Sequence, residues 1–169
     1  MTLRHAVVFL AFLAAVAQPV SAAAPKSSAD GWQAGVARVV ITPEKMIWMS
    51  GYGGRSHPAE GKIHDLWAKA VALRDPTGKT VVFVSTDLIT VPIKMVNAVM
   101  AEVTQRHGLG RSEVMFTCSH THCGPAVDDM LSYMLAMKET DWAAVRANQK
   151  VMDAKIISLI GAALKDLKP

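Results

Sequence analysis

Cysteine is scarce. Cys118 and Cys123 are the only two in 169 residues, so a small fold stapled by several disulfides is excluded. No run of lysine or arginine stands out, which makes nucleic acid an unexpected partner. Internal repeats and low-complexity tracts are also missing. The longest apolar run, Ala6 to Ala17, is too short to span a bilayer comfortably and ends at Gln18-Pro19.

About half of the residues are hydrophobic (51%). That is enough to bury a sizeable core in one domain, and it argues against disorder. The segment 1–22 has a basic start at Arg4, the apolar run, and small residues at Val20-Ser21-Ala22. This is the pattern of a cleaved secretory signal peptide, so the expected location is secreted or periplasmic. Removing it takes away one positive charge, and the formal net charge of +4 falls to about +3. Residues 23–31 read as a flexible lead-in, and residues 32–169 as the folded domain.

The pattern within that domain predicts an α/β fold with a mixed sheet. Trp32 to Ile41 is Val- and Ile-rich and reads as a strand ended by Thr42-Pro43-Glu44. Residues 49–61 hold four glycines and a proline and read as a long loop, a kind of segment that often carries function. Leu66 to Arg74 and Thr80 to Thr86 are strand-like, and the Asp-Pro-Thr-Gly-Lys between them predicts an antiparallel hairpin. Val91 to His107 has apolar residues at helical spacing, with Pro92 for its first turn and Gly108 for its end. Glu113 to Cys118 then gives a strand, and a βαβ crossover is expected to set it parallel to the one before the helix. Asp141 to Leu167 predicts an amphipathic helix packed on the sheet.

The chemistry collects where the parallel strands end. Ligands gather beyond the carboxyl ends of strands in open α/β sheets. One strand ends in Val84-Ser85-Thr86-Asp87, the other in TCSHTHCGPAV at 117–127. If 118–122 stays extended, Cys118, His120 and His122 share one face. Paired imidazoles can hold zinc, but a catalytic zinc usually needs three protein ligands. A structural strand end remains the alternative. Asp87 has two readings: a cap for the helix that follows, or a carboxylate that orients a ligand imidazole. Export would allow Cys118 and Cys123 to pair, closing a very small loop with little gain in chain entropy. Free thiols remain equally open.

The same residues resemble a known family. SHTHCGP at 119–125 is similar to the THTHSGP hallmark of the neutral/alkaline non-lysosomal ceramidases. AGVARVVITP (34–43), SGYGG (50–54), IHDLWAKAVALRD (63–75) and VFVSTDL (82–88) resemble other family segments in the same order. The resemblance covers residues 34 to about 168. It implies the N-terminal part of a zinc amidase that cleaves the N-acyl bond of ceramide into sphingosine and fatty acid. It assigns a zinc-ligand role to His120 and a catalytic, proton-handling role to His122. It implies further ligands, a His, a Glu and a Tyr, farther along the chain than Pro169. Gly51, Tyr52, Gly53 and Gly54 would shape the pocket, and His64 falls where some members also carry a histidine. Cys123 departs from the motif, which has serine there, and 49–65 departs from the best-known members, so the substrate is open.

The functional expectation is a zinc-dependent, ceramidase-like amide hydrolase acting on a lipid amide, with peripheral membrane contact in reach. This chain by itself is expected to bind zinc weakly and to show little or no turnover, because one or two histidines make a weak zinc site. The competing readings are an exported lipid- or partner-binding module without catalysis, and a zinc hydrolase of another amide or ester.

Overall fold

The computed structural model describes residues 31–130 and 132–169. The expected signal peptide and nearly all of the lead-in lie outside them. Four strands form one sheet in the order β1-β2-β3-β4. They are β1 (Gln33–Val40), β2 (Trp67–Arg74), β3 (Thr80–Thr86) and β4 (Val114–Cys118). The first three make an antiparallel meander, and β3 and β4 are parallel. Helix α1 (Ile93–His107) makes the crossover between β3 and β4, and α2 (Glu139–Lys165) follows. The mixed α/β sheet expected from the pattern is therefore the fold.

The hairpin forms for the reason its turn sequence suggests. Asp75 Oδ1 accepts from the Thr77 and Lys79 amides at 2.8 and 3.0 Å, closing the turn. Helix α1 starts two residues later than its periodicity suggests. Pro92 stands outside it as the extended cap residue, while Gly108 closes it in a left-handed conformation.

Alternation gives the sheet one buried face. Ala68, Ala70, Ala72, Val82, Val84 and Val114 point into the core. There they meet Met95, Val99 and Val103 of α1 and Met152, Ile156 and Ile160 of α2. Burying side chains such as Ile156 contributes about 1.5–3 kcal/mol each. Helix α2 approaches β1 so closely that a Cβ on Gly35 would lie 2.2 Å from the Ala163 carbonyl. A smaller cluster of Trp48, Ala126, Leu135 and Val145 pins the long connections to the start of α2.

The opposite face carries a row across all four strands: Val36, Val71, Phe83 and Met115, in register and exposed. The outer edge of β1 is covered by its own chain. Ala34 and Lys168 exchange backbone hydrogen bonds, Asp166 Oδ2 accepts from the Val36 amide at 2.9 Å, and Lys155 Nζ donates to the Val40 carbonyl at 3.1 Å. No described helix is long and apolar enough to cross a membrane.

Candidate metal and catalytic site

Strand β4 stops at Cys118, so residues 118–122 do not run extended as one face. The chain curls over the end of β3. The Ser119 amide donates to Thr86 O and the Thr121 amide to Leu88 O, both at 3.0 Å. His120 takes a positive φ of 56°. This is a sparsely populated conformation for a residue with a Cβ, of the kind that collects at functional sites. Tyr52, at φ 58°, is another.

The histidines do come together as expected, but through this curl and not along an extended strand. The rings of His120 and His122 lie edge to face at 5.0 Å, and Tyr52 packs edge to face on His122 at the same spacing. Nδ1 of His120 is 2.9 Å from the Ile89 carbonyl. A carbonyl can only accept, so Nδ1 carries a proton, and in the neutral ring Nε2 is then the nitrogen with the lone pair. Nδ1 of His122 is buried and has no hydrogen-bond partner among the described residues.

The glycine loop is clamped to this curl. Ser50 donates from both its amide and its hydroxyl to the Gly124 carbonyl, at 2.8 and 2.9 Å, and Met49 bridges Pro125. Gly51, at φ +72°, lies against His122, where an added Cβ would meet the His122 Cβ at 2.7 Å. Only glycine combines that dihedral with that approach. Gly53 faces the end of Met134, and Gly54 faces open space. Ser50 and Arg55 were not singled out by the sequence. A serine in a glycine loop carries no local sign that it will bind a carbonyl 74 positions away.

Asp87 neither caps α1 nor touches an imidazole. Its Oδ2 accepts from the Trp67 amide at 2.8 Å and its Oδ1 from the Ser119 hydroxyl at 3.1 Å. The helix starts too far along, beyond Pro92, and has no side-chain cap. Asp87 ties the start of β2 to the histidine loop instead, and a backbone carbonyl takes the imidazole-orienting place.

Both cysteines are free. Cys118 is half-buried, with its thiol 3.6 Å from the same Ile89 carbonyl, whereas Cys123 is exposed and 3.7 Å from Arg55 Nη2. Their different surroundings leave no bridge. Arg55 also donates Nε to the Gly51 carbonyl at 3.1 Å and lies over the Tyr52 ring. Cys123 and Arg55 border a cleft of ≈ 380 Å³ that His64 also lines. Nδ1 of His64 lies 3.0 Å from the Asp65 carbonyl. Beside it, a hydrogen bond from Lys62 and then one from Thr42 hold the Asp65 carboxyl below its ordinary range.

As a donor set, the loop fits part of a zinc site. His120 offers one imidazole whose Nδ1 is already oriented by the Ile89 carbonyl. Among the described residues, no three His, Cys, Asp or Glu side chains come together as a cage.

Fold and site together describe a mixed α/β domain with a histidine-bearing loop beyond the carboxyl ends of a parallel strand pair. The neutral/alkaline non-lysosomal ceramidase family, N-terminal, matches residues 32–169, and the chain belongs to that family. The fold is shared with the crystal structure of neutral ceramidase from Pseudomonas aeruginosa, at a TM-score of 0.67 and 24% identity over 82% of this chain. A ceramidase complexed with C2 matches with the same figures. In each case this chain spans 22% of the other chain's length.

Proposed function

We propose that this chain carries the histidine loop of a ceramidase-like hydrolase that cleaves a lipid amide, and that the loop works with zinc. The observation that carries the reading is the bond between His120 Nδ1 and the Ile89 carbonyl, which leaves Nε2 as the nitrogen for a metal. Family membership supports hydrolysis of an amide, and the chemistry of the loop supports the metal.

His120 would hold the zinc. When bound, zinc supplies Lewis-acid polarisation of the amide carbonyl and lowers the pKa of a water. His122 moves a proton toward the departing amine, as general acid–base catalysis requires. Gly51 and Tyr52 keep its ring in place from two sides. The export expected from residues 1–22 would bring the site to lipid outside the cytoplasm.

Because the described residues offer a partial donor set, the purified chain is expected to hold zinc weakly and to turn over lipid amides slowly. The test is zinc per chain under chelator competition, for the native sequence and His120→Ala. Weak zinc that disappears in the variant supports the reading, and zinc unchanged by the substitution overturns it. In an active enzyme carrying this domain, His122→Ala is expected to lower kcat about 10²–10⁴-fold. Full turnover would remove the proton-carrying role.

A further inference from the structure

We infer that the cleft beside the histidine loop takes a single-chain amphiphile with a negative charge close to its amide, in chemical class an N-acyl amino acid. The inference rests on the hydrolase reading for the amide and goes beyond it for the charge.

The cleft has an apolar base and a cationic rim. Ile47 and Leu66 are buried and Met49 is half-buried at its base. Three full cations line it, Lys45, Arg55 and Lys62, against one carboxylate, Glu60. Lys62 is drawn off by Asp65 at 2.7 Å. Lys45 has no hydrogen bond or ion pair among the described residues. Arg55 uses Nε on Gly51 and Nη2 on Cys123, which leaves Nη1 to donate. Two cations therefore face the cleft with donors to spare, and a carboxylate is the group that satisfies them.

Arg55 also fixes where the charge must sit. It reaches from the cleft to the carbonyl of Gly51, and Gly51 packs on His122. An anion held by Arg55 is thus held near the ring proposed to handle the amide proton. The volume sets the chain count. Small-molecule sites run from about 300 to 1,000 Å³, and ≈ 380 Å³ is at the low end. One acyl chain and a compact anionic head suit that space.

The test is binding of three probes to the purified chain by calorimetry at neutral pH: N-lauroylglycine, its uncharged twin N-lauroylglycinamide, and laurate. N-lauroylglycine is expected to bind about tenfold more tightly than the twin. Lys45→Gln, which breaks no hydrogen bond or ion pair among the described residues, is expected to cut that preference about threefold. Adding Arg55→Gln should abolish it. Equal binding of the charged and uncharged twins overturns the inference, as does a preference that survives both substitutions, or no binding of any probe. Laurate binding as tightly as N-lauroylglycine overturns the amide part. The zinc experiment on His120→Ala is independent. If zinc binding ignores His120 while the charge preference holds, the hydrolase reading fails and the anion site stands. The reverse pair of results does the opposite.

Discussion

Gly51 and His122 are in van der Waals contact across two loops, with no room for a methyl group between them. The contact joins a loop that precedes β2 to one that follows β4, and it helps fix the ring against which Tyr52 also packs. Gly51→Ala would meet both the clash and the positive φ. The expected loss is about 1–3 kcal/mol from backbone strain alone. Gly54→Ala, with nothing within 4 Å of the new Cβ, should stay within about 0.5 kcal/mol. Thermal unfolding of the two variants side by side checks this, and equal melting temperatures would sink it.

Asp87 is the second prediction. Its carboxylate joins the Trp67 amide to the Ser119 hydroxyl. Asp87→Ala leaves a part-buried backbone N–H without its acceptor, at a cost of about 1–3 kcal/mol. Asp87→Asn keeps an acceptor oxygen and should lose less. Urea unfolding of the three proteins gives the order, and an alanine variant as stable as the native chain would show that the tie is idle.

The third concerns pH. Burial pushes the Asp153 carboxyl on α2 up to about 6 from 3.8, and its Oδ1 has no partner among the described residues. A raised acid binds its proton more tightly folded than unfolded. Its contribution is therefore complete below about pH 4 and is lost as pH rises through about 6. Asp65, Asp75, Asp129 and Asp166 are shifted down and act in the opposite sense, losing stability as pH falls toward their lowered values. The difference between Asp153→Asn and the native chain isolates one group. The variant is expected to gain in melting temperature at pH 7 relative to pH 4. A difference that does not change with pH would refute it.

The two thiols should separate by rate. Cys123 is exposed and Cys118 half-buried against the Ile89 carbonyl. An aromatic disulfide reagent is expected to label one thiol quickly and one slowly, with the fast phase missing in Cys123→Ser. Two equal phases, or none in the native chain under non-reducing conditions, would contradict the free and unequal cysteines seen here.

Periodicity made much of the fold legible. Strand alternation marked β2 and β3 nearly to the residue, the Asp75–Lys79 segment named its turn, and helical spacing found both helices. These signals are local, so a local reading captures them. The site was half legible. The paired histidines were visible, but their route was not, because extension to His122 fails once His120 turns to φ 56°. That turn is set by Thr86 and Leu88 carbonyls more than thirty positions away. Asp87 misled for a similar reason: its partners, Trp67 and Ser119, are 20 and 32 positions distant, while the helix it looked set to cap is near in sequence. In the smaller cluster Val145 lies on the helical stripe, but Trp48, Ala126 and Leu135 have no periodic signature and escaped notice.

The covered edge of β1 gives this sheet a direction. Lys168, Asp166 and Lys155 occupy the backbone groups through which another strand would enter on that side. A polypeptide that extends the sheet must come in beside β4, which has no second strand neighbour among the described residues. A strand laid there parallel to β4 finishes next to Ser119 and His120. Any change that frays β4 is then felt directly in the loop that carries His120 and His122, whose Ser119 and Thr121 amides hang on the residues at the end of β3.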